Sequence, residues 1–181
     1  MSEAKIFIDS IKSYALANQK KVGVPAAIII AQACLETGYG KYVCKDMDSG
    51  MDSKNLFNIK GTGPAGFVTV WTTEYIKGIA TKVKAKFRAY NDYRESFEDH
   101  SRLMLTERYK PCMAVKEDPE EFARQLQKCR YATDPKYADK LIYIMKTYGL
   151  LNLKQEEVEE KMVRYGILKT FQVVSKILLK S

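Results

Sequence analysis

The sequence predicts an α+β fold that is mainly α, a helical body carrying one two-stranded β-hairpin, and three observations predict it. The stretch PAAIIIAQACLETGYGK, residues 25–41, is apolar at every position from 26 to 35 except Gln32, so it reads as a helix buried on all sides. Residues 82–88 alternate strictly, with Val83, Ala85 and Phe87 on one face and Lys82, Lys84, Lys86 and Arg88 on the other, which is the two-residue period of a strand. Over most of the remaining chain, apolar residues recur at helical spacing between polar ones.

Taken in order, residues 4–18 carry Ile6, Phe7, Ile11, Tyr14 and Leu16 among charged neighbours, an amphipathic helix, and residues 19–24 read as its link to the next element. The central helix begins at Pro25, which suits a first turn because its missing N–H costs nothing there, and Gly38 and Gly40 stop it. Residues 42–54 read as a polar loop, followed by NLFNIKG at 55–61 and a turn-rich stretch at 62–66. Residues 68–75, rich in β-branched and aromatic side chains, form the first strand, with Gly78 in a turn over 76–81 leading to the second. Such a hairpin is marginal alone and leans on the body, which makes it a candidate flap. Helices follow at 96–106, 119–129 and 135–148, each opened by a Ser or Asp-Pro start signal, and Gly149 ends the last. This divides the chain into a domain over residues 1–151 and a helical appendage over 152–181 whose first half is acidic and second half basic and apolar.

Of the 181 residues, 46% are hydrophobic and 29% charged, the balance of a globular domain with a sizeable core. No apolar run reaches the length of a membrane span, and the N-terminus lacks the basic-then-apolar pattern of a signal peptide, so the expectation is a chain made in the cytosol or trimmed. A net charge of +8 implies an anionic partner: nucleic acid, a membrane surface or an anionic cell-wall polymer. The lysines of the second strand have no companion array of aromatic residues and no nucleic-acid motif accompanies them, which sets nucleic acid aside. The four cysteines form no C-x-x-C pair and His100 is the sole histidine, so no metal site is expected and all four read as thiols, Cys34 in the core.

The chemistry is expected at the end of the central helix. Gln32 and Glu36 lie four apart on one face, and burial together with the helix C-terminus disfavours the charged form of Glu36. A carboxyl kept protonated near neutral pH is what a general acid needs; the alternative is a capping or ion-paired carboxylate. Glu74, in the first strand, is the best second carboxylate, with exposure beside a lysine as its alternative. A helical body, a buried-helix glutamate and a β flap suit cleavage of a polysaccharide, for which Phe57, Trp71 and Tyr131 are candidates to offer aromatic faces, or else they pack the core; Tyr137 reads as packing the last helix, and His100 as structural.

AQACLETGYGK, NLFNIKG, TTEY followed by KVKAKFRAY, and CRYATDPKYADKL stand in this order, and together they resemble the glucosaminidase domain of glycoside hydrolase family 73, which includes flagellar peptidoglycan hydrolases and many autolysins. The resemblance covers residues 10–149. It implies a lysozyme-like fold with the hairpin as a flap over the active-site cleft, and hydrolysis of the β-1,4 bond after N-acetylglucosamine in peptidoglycan. On its motifs Glu36 falls at the general acid, Glu74 at an assisting hairpin glutamate and Tyr131 at a tyrosine lining the site, with Phe57, Asn55, Trp71 and Gln32 as further substrate-binding candidates. One departure is Asn58 where the family has glycine; Asn is the next most tolerant residue of a positive φ. The implied protein is an endo-β-N-acetylglucosaminidase without cofactor or metal, a monomer acting at the bacterial cell wall, secreted or phage-delivered. Its expected partners are peptidoglycan glycan strands and anionic wall polymers, with no nucleic acid and no membrane span. Muramidase specificity, or a non-catalytic wall-binding module of the same fold, is the alternative.

Overall fold

The computed structural model describes residues 1–76 and 79–153. Gly78, the side chain of Glu74 and all but the first two residues of the appendage lie outside the described residues.

Helix α1 (Glu3–Val22) is capped by Ser2, whose side chain accepts the Lys5 N–H at 3.3 Å, and it ends at Gly23 with φ 81°. It therefore runs a turn beyond the segment read as helical. Gln19, Lys20 and Lys21 are the last turn of the helix and not a linker, and the two lysines complement the negative end of its dipole. Helix α2 (Ala26–Thr37) is the centre of the body: every residue from 26 to 34 is buried, and it packs against α1 and two of the later helices. Its first free N–H, on Ala26, donates to Oε1 of Gln19 at 2.6 Å, which ties the two helices at their junction. Burying each of Ile28, Ile29 and Ile30 stabilises the fold by about 1.5–3 kcal/mol. The helix stops where the sequence says. Gly38 has φ 55°, and at Gly40, φ 82°, a Cβ would lie 2.5 Å from the ring of Phe7.

Strands β1 (Phe67–Ile76) and β2 (Ile79–Arg88) pair antiparallel, with Phe67 opposite Arg88, Trp71 opposite Lys84 and Ile76 opposite Ile79. The ladder closes to residues 77–78, a shorter connection than the sequence suggested; Ile79 and Ala80 offer no polar contrast, so the start of the second strand was hidden. The base of the hairpin is fastened on both edges. Thr69 N–H donates to Asp46 Oδ2 at 2.8 Å and its carbonyl accepts Met47 N–H at 2.9 Å, while Lys86 O accepts Gly61 N–H at 3.0 Å and Arg88 N–H donates to Ile59 O at 2.9 Å. Val68, Phe87 and Ala89 form a second small core beneath it.

Helix α3 (Tyr93–Met104) starts three residues before the Ser96 signal, because Asp92 accepts the Glu95 N–H at 2.9 Å and is the true cap. A 3₁₀ turn at Glu107–Tyr109 and a short helix α4 (Lys110–Ala114) have no signal in the sequence beyond Pro111 near the start of α4. Helix α5 (Pro119–Lys128) is opened by Asp118 as expected, and α6 (Tyr137–Thr147) completes the body. Gly149, φ 66°, then turns the chain into a 3₁₀ turn at Leu150–Asn152. Leu150 and Leu153 are buried in the main core.

Candidate active site

Glu36 sits at the end of α2, where α6 and the 55–61 loop converge on it. Its Oε1 accepts a hydrogen bond from the Tyr137 hydroxyl at 3.2 Å, and its Oε2 accepts one from Nδ2 of Asn58 at 3.4 Å. The same Asn58 nitrogen reaches the backbone carbonyl of Glu36 at 3.0 Å, one of the free carbonyls at the helix end. The Tyr137 hydroxyl in turn accepts from Nε2 of Gln32 at 3.1 Å. Because Gln32 and Glu36 are one turn apart, a single tyrosine bridges both, giving a directed chain from amide to phenol to carboxyl.

The electrostatics follow from these contacts. Burial raises the Glu36 carboxyl above the ordinary range, and the hydrogen bonds from Asn58 and Tyr137 pull it partly back. The ion-paired alternative finds no lysine or arginine bridged to Glu36 among the described residues. Both partners are neutral donors. Burial also pushes the Tyr137 phenol far up, with Tyr131 and Glu36 adding to it, and burial followed by the Glu36 charge does the same to Tyr131. Each phenol therefore keeps its proton at any pH at which the carboxyl titrates.

Tyr131 is half-buried and stacks on Tyr137 with centroids 5.6 Å apart and planes at 25°. Tyr109 and His100 back it at 6.0 and 6.2 Å. His100 is fully buried, stacks on Phe57 at 4.1 Å, and burial lowers it to about 3, so it is a neutral core residue. The other candidates divide. Gln32 is fully buried and reaches Glu36 only through Tyr137. Phe57 is buried against His100 and Phe97, the core-packing alternative. Asn55 is fully buried and ties the loop: Nδ2 donates to Ile59 O at 2.9 Å and Arg88 O at 3.0 Å, and Oδ1 accepts the N–H groups of Phe57 and Ile59. Trp71 is 51% exposed and lies under the ammonium groups of Lys82 and Lys84, on the strand face opposite buried Val68. Glu74 is in β1 with Thr81 as its register partner.

Two contacts of Glu36 were not read from the sequence. Tyr137 is buried, as a packing residue should be, but a buried tyrosine needs a partner for its hydroxyl, and Gln32 and Glu36 are the polar side chains of an otherwise apolar helix. That was the available signal. Asn58 adopts φ 50°, the tolerance the sequence suggested, and its amide turns out to touch the carboxyl. Among the described residues no cluster of three or more His, Cys, Asp or Glu side chains could hold a metal ion, and no helix is long and apolar enough to cross a membrane.

The glucosaminidase family described as mannosyl-glycoprotein endo-β-N-acetylglucosaminidase matches residues 12–150. The chain is 40% identical over 154 residues to peptidoglycan hydrolase FlgJ of Pseudomonas aeruginosa, covering 81% of this chain and 38% of that protein. It is 36% identical over 156 residues to exo-glucosaminidase LytG of Bacillus subtilis, covering 83% of this chain and 53% of that one. The chain thus spans about half or less of the length of these curated relatives. A crystal structure of a peptidoglycan hydrolase mutant from Sphingomonas sp. A1 superposes with a TM-score of 0.70 at 37% identity, covering 86% of this chain and 99% of that one.

Proposed function

From the premise that this chain belongs to the glucosaminidase family, glycoside hydrolase family 73, we propose that it is a peptidoglycan hydrolase cleaving the β-1,4 bond after N-acetylglucosamine, with Glu36 as general acid. The observation that carries this reading is a carboxyl held at the end of a buried helix by neutral donors alone, its proton affinity raised by burial. In that state it donates its proton to the glycosidic oxygen as the bond to the anomeric carbon breaks, and the carboxylate left behind is stabilised by the Tyr137 and Asn58 hydrogen bonds. Tyr131, half-buried beside Tyr137, supplies an aromatic wall for a sugar ring. Glu74, carried on the hairpin, assists by steadying positive charge at the anomeric carbon or activating water. Phe57, Asn55 and Gln32 then serve the site from behind it.

The hairpin's outward face supports a second contact with the wall. The strand lysines, expected to lack aromatic companions, do have them across the hairpin: Lys82 and Lys84 lie 5.5 and 5.3 Å from the centroid of Trp71, and Lys86 lies 4.0 Å from that of Phe67, an exposed basic and aromatic strip suited to anionic wall polymers running beside the glycan strand.

Glu36→Gln keeps the shape and removes the proton donor, so turnover of purified sacculi should fall by roughly 10²- to 10⁴-fold or more. Glu74→Gln should cost less. A folded Glu36→Gln variant that digests sacculi at the wild-type rate removes Glu36 from the mechanism. Mass spectrometry of the released fragments tests the bond: reducing-end N-acetylglucosamine supports a glucosaminidase, reducing-end N-acetylmuramic acid a muramidase. The early size distribution separates internal cleavage from trimming at chain ends.

A further inference from the structure

We infer that Asn58 is a positioning residue for the general acid: its amide fixes the Glu36 carboxyl at the helix end and sets the pH at which that carboxyl gives up its proton. The inference rests on the assignment of Glu36 as general acid.

Three observations carry it. First, Asn58 stands at φ 50°, a left-handed conformation that asparagine tolerates and most residues do not, so this position admits a side chain only of a narrow kind. Second, that side chain is aimed at one target: Nδ2 lies 3.0 Å from the Glu36 carbonyl and 3.4 Å from its Oε2, so one NH₂ group grips both the backbone and the carboxyl of the same residue. Third, the other end of the amide is held. The Cys44 thiol donates to Oδ1 of Asn58 at 3.4 Å, which fixes which way the amide faces, since the flipped orientation would set Oδ1 against two oxygens of Glu36. A thiol, an amide and a carboxyl are thus linked in series from the base of the hairpin, where Cys44 packs beside Val68 and Phe87, to the end of α2.

The consequence for pH has a definite sign. A donor to the carboxylate favours its charged form, so Asn58 lowers the proton affinity that burial has raised. The other titratable groups facing Glu36 are the phenols of Tyr137 from α6 and Tyr131 from the segment before it, both held neutral, and Cys44 reaches it only through Asn58. A general acid works only while protonated, so activity falls as pH rises through its pKa. Removing the Asn58 donor should move that alkaline limb to higher pH.

The test compares pH profiles of kcat on a soluble glycan for the wild type, Asn58→Gly, Asn58→Asp and Cys44→Ala. Glycine accepts φ 50° without strain, so Asn58→Gly keeps the loop and loses only the amide. Its kcat at acid pH should fall by roughly tenfold or less from poorer aim of the carboxyl, while its alkaline limb moves up, so that the two profiles cross. Asn58→Asp keeps the shape but replaces the donor by a second carboxyl, and should move the limb further than Gly does. Cys44→Ala leaves the donor but frees the amide and should shift it least. A uniform drop at every pH, with the limb unmoved in both Asn58 variants, overturns the inference and leaves Asn58 as a loop residue. Glu36→Gln run alongside separates the two claims: if it is fully active the general-acid assignment fails, and if it is inactive while the Asn58 limb stays fixed only the role of Asn58 fails.

Discussion

Helix α2 carries the carboxyl proposed as general acid and the β-hairpin the one proposed to assist it, and the two elements are built by opposite means. Around Glu36 everything is packed: residues 26–34 are buried, and the polar atoms nearest the carboxyl are Tyr137, Gln32 and Asn58, drawn from three separate parts of the chain. Among the described residues the hairpin is fully buried at its base, where Val68 and Phe87 meet Ala89 and backbone hydrogen bonds fasten both edges. Further along, Trp71, Thr73, Lys82 and Lys84 are exposed. A general acid needs a fixed, water-poor setting that raises its pKa, whereas a carboxylate that stabilises charge or activates water must stay ionised and reach a substrate once it is seated. The base of the hairpin is tied to the body by side-chain packing and by backbone hydrogen bonds on both edges.

Stability should expose this contrast most sharply. Ile29→Ala, at a fully buried site in α2, should destabilise by about 2–5 kcal/mol, because the cavity cannot close in a helix packed on all sides. Val83→Ala, on the half-buried face of β2, should cost less than about 1 kcal/mol. Urea unfolding of both variants checks this, and equal costs would mean that the hairpin is as integral to the core as α2.

An intermediate effect is expected where the hairpin joins the helical body. Asp99 on α3 accepts from Arg88 of β2 at 2.6 Å, from the Tyr90 hydroxyl at 2.7 Å and from Arg102 at 3.0 Å. Burial raises its pKa, and these donors outweigh burial, leaving the carboxyl below its ordinary range. A depressed folded pKa contributes stability above the unfolded value, about 3.9, which is lost as pH falls through the folded one. Asp99→Asn should thus cost about 1–3 kcal/mol at neutral pH, and the gap to wild type should narrow in the acid range. A gap independent of pH would show that packing rather than charge holds this joint.

The same contrast explains what could be read in the sequence. Local periodicity is a property of consecutive residues, so the apolar run of α2, the alternation of β2 and the Asp118-Pro119 start of α5 were visible, and so was the unusual carboxyl at Glu36. The partners of that carboxyl were not, because Tyr137 lies 101 residues away in sequence and Asn58 lies 22. Apolar spacing marks both as packing or turn residues and is silent about where a hydroxyl or amide points. Aromatic character is ambiguous in the same way: Phe57, open between a sugar face and core packing, stacks on His100 inside the core, while Trp71 is exposed on the outward strand face among lysines. Element ends shifted wherever a cap overrode composition, as at Gly23 and Asp92.

The smallest effect on stability, and the most specific to the hairpin, should come from its outward face. Lys82, Lys84 and Lys86 are exposed, and their close contacts there are with the rings of Trp71 and Phe67. Exposed cation–π contacts contribute at most about 0.5–1 kcal/mol each, and removing three like charges from one strand relieves repulsion that offsets part of that. The triple variant Lys82→Gln, Lys84→Gln, Lys86→Gln should therefore unfold within about 1 kcal/mol of the wild type. Binding to whole walls should behave differently, because three positive charges on one extended strip attract a polyanion at low salt and are screened at high salt, where the Debye length shrinks to about 3 Å at 1 M. Cosedimentation with cell walls should be weakened in the triple variant at low ionic strength, with the difference vanishing as salt rises. Walls stripped of their anionic polymers should bind both proteins alike. If wild type and variant bind native walls equally at low salt, the basic face is a solubilising surface and the attraction implied by the net charge lies elsewhere on the molecule.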